Sequence, residues 1–131
     1  MGLRLIPKRL LLRYVLREIV FDAASVKSEQ VAGYARPLQS ADACSALLAC
    51  ARQIIPPDLD LISKRYPLID VPTLLLWGDS DRVVPLEVGK RLEREMPRAR
   101  LRIIPRCGHL PAEEKPEESL AIVREFLKET G

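Results

Sequence analysis

The chain has 131 residues, of which 47% are hydrophobic and 30% charged, and its 21 basic and 18 acidic side chains give a net charge of 21 − 18 = +3. This profile is typical of one soluble globular domain, and the charge excess is too small to argue for nucleic acid or a membrane, so neither is expected as a partner. No apolar run is long enough for a membrane span. Three cysteines without a CxxC pair argue against a disulfide framework and a zinc site, and favour a reducing compartment, the cytoplasm.

The first half of the chain has the hydrophobic periodicity of helices. Helices are predicted over residues 7–20, about 27–36, 41–55 and 59–66. The first is basic and amphipathic, with an apolar face predicted to comprise Leu10, Tyr14, Val15, Ile19 and Val20. Ser40 is the expected N-cap of the third helix, and Pro56 and Pro57 are expected to stop it.

After Pro72 the pattern changes to strand, helix, strand, helix. The run Thr73–Trp77 is short and apolar, as expected for a strand buried on both faces of a parallel sheet. The following elements are predicted at Leu86–Met96, Leu101–Ile104 and Glu117–Glu129. Two parallel strands do not make a stable sheet alone, so the predicted fold class is α/β with a partial sheet, and we expect the chain to be a piece of a larger fold.

A polar motif follows each predicted strand. Asp79 and Asp81 lie in the turn after the first strand, and the only histidine, His109, lies in the loop after the second. Because parallel strands end at the same edge of a sheet, a carboxylate and an imidazole there can form the acid–base pair of nucleophilic catalysis. Singly, each residue would be an ordinary turn or loop residue. Together they predict a functional site.

Residues 71–85 and 106–127 resemble the C-terminal portion of the α/β-hydrolase family. The resemblance lies in a Pro-Thr-Leu-Leu-Leu-Trp-Gly strand, a Gly-x-x-Asp-x-x-Val-Pro turn and a Gly-His-x-x-x-x-Glu-x-Pro loop, which here contains Glu114 and Pro116. It implies a partial α/β-hydrolase fold, with a helical cap-like or lid-like region at residues 1–66 and the βαβα part of the core at 67–131.

By this resemblance Asp81 is the acid of a nucleophile–His–Asp triad and His109 is its general base. Asp79 is the rival acid, but we expect it to cap the turn instead. The complete fold would hydrolyse an ester or related bond of a small-molecule substrate through a covalent intermediate, with Ser, Cys or Asp as nucleophile. The substrate is not identified by the sequence, and no cofactor or metal is expected.

The nucleophile of such a triad is missing from the sequence. None of the seven serines stands in the Gly-x-Ser-x-Gly elbow that the family uses. Cys107 is close to His109 in the chain, but no helix N-terminus lowers its pKa, so we expect a small apolar filler. The chain alone is therefore predicted to be inactive, and a companion polypeptide carrying the elbow is one way to restore function.

Two alternatives remain open. The first is a non-catalytic, truncated hydrolase module that acts through protein–protein contacts, including self-association through its open sheet edge. The second rests on Asp79-Ser80-Asp81, which resembles the magnesium-binding Asp-x-Asp of haloacid-dehalogenase-type phosphatases. That motif would require a threonine where Arg82 stands, so the second alternative is the weaker.

Overall fold

A computed structural model describes residues 7–131, so the first six residues of the predicted 1–66 region lie outside the description. Four helices come first: α1 Lys8–Ile19, α2 Ser28–Ala35, α3 Ala41–Arg52 and α4 Leu59–Ser63. They are followed by β1 Thr73–Gly78, α5 Leu86–Glu95, β2 Ala99–Ile104, α6 Pro111–Glu114 and α7 Pro116–Thr130. Short 3-10 turns lie at Ala23–Ser25, Pro37–Gln39 and Tyr66–Leu68.

The strands β1 and β2 pair in parallel, in a register that runs from Thr73 opposite Ala99 to Gly78 opposite Ile104. Helices α5 and α7 contact both strands. The predicted α/β class with a partial parallel sheet is confirmed. The expectation that β1 is fully buried is wrong, because only Gly78 at its end is buried and the rest is half-buried. Within residues 7–131 the sheet has two strands, so neither strand is flanked on both sides.

The buried core of the helical half lies between α1 and α2. It consists of Leu16, Val20, Val26 and Val31, with Leu12, Ile19 and Leu110 packed against it. The predicted apolar face of α1 is therefore wrong in part, since Leu10 and Tyr14 are 59% and 64% exposed. The side chains that line up toward α2 are Leu12, Leu16 and Val20, which recur every four residues and so share one side of the helix.

The helix boundaries differ from the sequence prediction mainly around the prolines. Helix α3 begins as predicted, with Ser40 Oγ accepting a hydrogen bond from the Ala43 amide at 3.4 Å. It ends at Arg52 rather than residue 55, before the turn that leads to the two prolines. The predicted helix over 59–66 is shorter, and a 3-10 turn follows it. None of the helices in residues 7–131 combines the length and the apolar character needed to cross a membrane.

Candidate active site

The loops that follow β1 and β2 are in direct backbone contact. The Asp79 amide donates to the Ile104 carbonyl and the Ser80 amide to the Cys107 carbonyl, each at 3.0 Å. A Cβ on Gly78 would lie 2.2 Å from the Gly108 carbonyl oxygen, so only glycine lets these two backbone segments approach this closely. The parallel pairing therefore brings the turn after β1 that contains Asp79 and Asp81, which we call the acidic turn, against the loop of residues 105–110, which we call the histidine loop.

Asp81 and His109 are hydrogen-bonded across this junction. Asp81 Oδ2 lies 2.9 Å from His109 Nδ1, and the side chains are 6% and 34% exposed, respectively. The other carboxylate oxygen of Asp81, Oδ1, accepts hydrogen bonds from the amides of Val83 at 2.8 Å and Val84 at 2.9 Å. The turn itself thus fixes the orientation of the carboxylate toward the ring.

The charge state of Asp81 determines which ring nitrogen of His109 carries the proton. Burial raises the pKa of Asp81, but the hydrogen bonds from His109 and from the amides of Val84 and Val83 outweigh it, so the pKa lies below its ordinary value of 3.8. An ionised carboxylate only accepts hydrogen bonds, and therefore Nδ1 must be the donor. The lone pair of the neutral imidazole is then on Nε2, the atom that can take a proton from a nucleophile.

This lowered pKa predicts a pH dependence of stability. Because the pKa of Asp81 is lower in the folded than in the unfolded chain, its ionised form stabilises the fold above about pH 4, and this contribution is lost as pH falls through the folded-state pKa. The free energy of unfolding, measured by urea between pH 7 and pH 3, should therefore fall less steeply for Asp81→Asn than for the wild type. Asp58→Asn, on an exposed residue that makes no side-chain cap, is the control. Equal slopes for wild type and Asp81→Asn would contradict the prediction.

Asp79 makes a different set of contacts. Its Oδ1 accepts from the Ser80 hydroxyl at 2.7 Å and from the Cys107 amide at 3.4 Å. The Ser80 hydroxyl and the backbone of Arg106 and Cys107 lower the pKa of Asp79. Asp79 thus joins the acidic turn to the histidine loop, whereas Asp81 contacts the ring. Within residues 7–131 no three or more His, Cys, Asp or Glu side chains gather closely enough to hold a metal ion.

Cys107, which belongs to the histidine loop, is fully buried. Burial raises the pKa of its thiol to about 11, and the nearby Glu114 carboxylate adds to this effect. Such a thiol stays protonated at neutral pH and is a poor nucleophile. The placement fits the expected role of a small apolar filler.

A small cavity of about 130 Å³ adjoins the ring of His109. Its wall is mostly apolar and includes Leu76, Trp77, Val84 and Pro111 in addition to the acid and the histidine. The Trp77 indole Nε1 donates to the Val84 carbonyl at 3.0 Å, which holds this wall to the turn that carries Asp81. The site therefore combines a charged hydrogen-bonded pair with an apolar surface.

Glu114 belongs to the Gly-His-x-x-x-x-Glu-x-Pro motif, but its sequence context predicts no function for it. In the structure its carboxylate accepts hydrogen bonds from the amides of Phe21, Gly108 and Leu110. An acidic residue six positions after Gly108 was the only signal for this role. The contact with Phe21 spans 93 positions of the chain and has no local signature.

Known protein sequences match this chain over most of its length. A profile described as the alpha/beta hydrolase family matches residues 2–122. The chain is 34% identical over 113 residues to an uncharacterized hydrolase, YugF, of Bacillus subtilis, covering 86% of this chain and 40% of that protein. It is 31% identical over 116 residues to a 2-hydroxy-6-oxo-6-phenylhexa-2,4-dienoate hydrolase of Delftia acidovorans, covering 88% and 41%, respectively. The chain thus spans about two-fifths of the length of these relatives.

Solved structures are similar over most of the chain. A meta-cleavage product hydrolase (CumD) from Pseudomonas fluorescens IP01 superposes with a TM-score of 0.78 over 96% of this chain and 47% of that one, at 23% identity, which supports the fold alone. An alpha/beta hydrolase enzyme, MGS-MChE2, from the metagenome of Mar Chica lagoon sediments has a TM-score of 0.61 and 31% identity over 78% of this chain and 45% of that one.

Proposed function

Because this chain belongs to the alpha/beta hydrolase family, we propose that it supplies two members of a nucleophile–His–Asp triad, Asp81 as the acid and His109 as the general base. The observation that carries the proposal is the 2.9 Å hydrogen bond between Asp81 Oδ2 and His109 Nδ1 at the carboxyl ends of two parallel strands. The reaction would be hydrolysis of an ester or related bond through a covalent intermediate.

The geometry suits each step of such a reaction. His109 would take the proton of the nucleophile on Nε2 while its Nδ1–H remains bonded to Asp81, and it would then activate the water that releases the intermediate. The imidazolium formed in between would face a carboxylate that is only 6% exposed, so water screens their attraction little. Two backbone amides already hold that carboxylate, so no reorientation is needed.

The nucleophile is proposed to come from residues other than these 131, which contain no Gly-x-Ser-x-Gly elbow. It could belong to the same polypeptide or to a companion. Relatives of this chain include a protein named 2-hydroxy-6-oxo-6-phenylhexa-2,4-dienoate hydrolase and one named 2-hydroxy-6-oxononadienedioate/2-hydroxy-6-oxononatrienedioate hydrolase. We therefore include that substrate class with simple aryl esters among the small molecules that the complete protein would cleave.

The proposal is tested by comparing the chain alone with a fused protein. The isolated chain is expected to hydrolyse p-nitrophenyl acetate no faster than buffer, because a triad without its nucleophile retains almost none of the rate enhancement. In the fused protein, this chain replaces the 116-residue stretch that it matches in the Delftia acidovorans hydrolase. The fused protein should cleave the dienoate for which that enzyme is named.

Two results would contradict the proposal. One is ester hydrolysis by the isolated chain that His109→Ala removes, since that would place a nucleophile among these residues. The other is a folded fused protein without turnover of either substrate, in an assay where the unmodified Delftia acidovorans enzyme is active. The unmodified enzyme is thus the matched control.

A second candidate function is a non-catalytic binding module. It is favoured by the two-stranded sheet, whose outer edges are unpaired within residues 7–131, and by large exposed apolar side chains such as Ile54 and Leu68, which are 79% and 76% exposed. This function predicts self-association in sedimentation velocity. A monodisperse monomer with cooperative melting would argue against it.

A further inference from the structure

We propose that Glu114 is a positioning residue for His109 that couples the histidine loop to the C-terminal end of α1. The proposal rests on the proposed function, since it concerns how the general base is held. Glu114 does not contact the imidazole. It acts through the backbone on both sides of the ring.

The carboxylate of Glu114 gathers amides from two separate segments. Gly108 N lies 3.0 Å from each of its oxygens, and Leu110 N lies 3.1 Å from Oε1. Its Oε2 also accepts from Phe21 N, just beyond α1, at 2.7 Å. One side chain thus holds the two residues that flank His109 and anchors them to a distant part of the chain.

The amide of His109 itself is bound to the same end of α1. It donates to the Ile19 carbonyl at 2.8 Å. A Cβ on Gly108 would lie 2.5 Å from that carbonyl oxygen and 2.7 Å from Phe21 N, so the two backbones are in direct contact. Three consecutive amides of the histidine loop are therefore satisfied by Glu114 and by the end of α1.

A further contact ties the same two segments together. The Arg106 guanidinium lies 5.7 Å from the centre of the Phe21 ring, a cation–π distance. Arg106 has a φ of 52°, in the left-handed region that residues other than glycine rarely adopt. The surrounding contacts hold this strained conformation, as expected where a loop must present a side chain in one orientation.

Loss of the Glu114 carboxylate would affect several backbone amide donors at once. Removing the carboxylate leaves three amide groups without their acceptor, and hydrogen bonds to charged groups stabilise more than neutral ones. The histidine loop would relax away from α1, and the Nδ1–Oδ2 contact would become longer or intermittent. A displacement of about 1 Å at such a site is enough to impair catalysis.

Glu113 provides a matched control for Glu114. It is the same residue type in the same short helix, α6, and its carboxylate is also hydrogen-bonded across the chain, to Gln30 and Tyr34 of α2. Within the part of the chain that the structure describes, its side chain makes no hydrogen bond to residues 108–110, and its only bond to them is from its backbone amide to the Leu110 carbonyl, which an alanine keeps. Glu113→Ala therefore removes a long-range anchor of the helical half and leaves the histidine loop bound.

The test is proton exchange in the 15N-labelled 131-residue chain, followed by NMR. In Glu114→Ala, the ring Nδ1–H and the backbone amide proton of His109 are expected to exchange at least about tenfold faster than in Glu113→Ala. This ratio corresponds to about 1.4 kcal/mol in the free energy of opening. Neither proton is bonded to Glu114, so their acceleration reports positioning. Glu114→Gln keeps one acceptor oxygen but turns an NH2 group toward amide donors, and should change exchange in the same direction.

Loss of thermal stability in both alanine variants with unchanged exchange of these two protons would overturn the proposal. If Glu114→Ala does not fold, Glu114→Gln and the wild type provide the answer. In the wild type, the amides of Phe21 and His109 should open together, with protection factors within about threefold of each other. A Phe21 amide exchanging 100-fold faster would also overturn it. These measurements need no turnover. The positioning proposal for Glu114 can therefore fail while the triad proposal stands, and the triad proposal can fail while the positioning proposal stands.

Discussion

In the fused hydrolase, Asp81→Asn is expected to lower kcat/KM by about 1,000- to 10,000-fold, whereas Asp79→Asn should lower it by less than about tenfold. The reason is that only Asp81 contacts the ring, at 2.9 Å, and fixes the proton on Nδ1. An asparagine there offers no negative charge to the imidazolium and can present its NH2 group to the ring, which stabilises the wrong tautomer. Asp79 instead joins two loops through Ser80 and Cys107.

The same assay separates the acid from the histidine. His109→Ala should reduce kcat on the order of a million-fold, and adding Asp81→Asn to it should reduce kcat little further, because residues of a triad act as a unit. Each variant is compared by circular dichroism with the unsubstituted fused protein to confirm folding. A larger loss from Asp79→Asn than from Asp81→Asn would exchange the roles of the two carboxylates. Additive losses in the double variant would show that the pair does not act together.

The sequence was sufficient to predict the elements that carry this pair. The apolar run ending at Gly78 and the helical periodicity after Pro85 are local signals, and β1, α5, β2 and α7 lie within a few residues of their predicted positions. The expectation that the carboxyl ends of two parallel strands bring an acid and a histidine together rested on topology, and the observed register places Gly78 opposite Ile104. The catalytic roles of the two residues remain a prediction.

The sequence was insufficient to predict features that depend on contacts between distant segments, because several arrangements fit the local sequence pattern equally well. Helix α1 has apolar side chains on most of its circumference, so its periodicity could not show that Leu16, rather than Tyr14, faces α2. The half-buried state of β1 depends on how many strands flank it, which no residue of β1 encodes. The role of Glu114 could not be predicted from local sequence either, because its contact with Phe21 requires the folded arrangement of α1 against the histidine loop.

Gly78→Ala and Gly33→Ala are expected to change stability in opposite directions, although both add one methyl group. At Gly78 the new Cβ would lie 2.2 Å from the Gly108 carbonyl oxygen and 2.3 Å from that of Cys107, and these are backbone atoms that cannot rotate away. The strand end and the histidine loop would have to separate. We expect a loss of about 3 kcal/mol in the free energy of unfolding, at the upper end of the usual cost of overpacking.

Gly33 lies inside α2, and a Cβ there would meet no atom within 4 Å apart from its chain neighbours and the backbone of its own helix. Alanine at this position restricts the unfolded chain and favours the helix, so the free energy of unfolding should rise by about 0.5–1 kcal/mol. Urea unfolding of the two variants should then differ by about 4 kcal/mol, the sum of the two expected changes. A difference below about 1 kcal/mol would mean that the two loops can separate at little cost, and the close approach that brings His109 to Asp81 would then not be a fixed property of the fold.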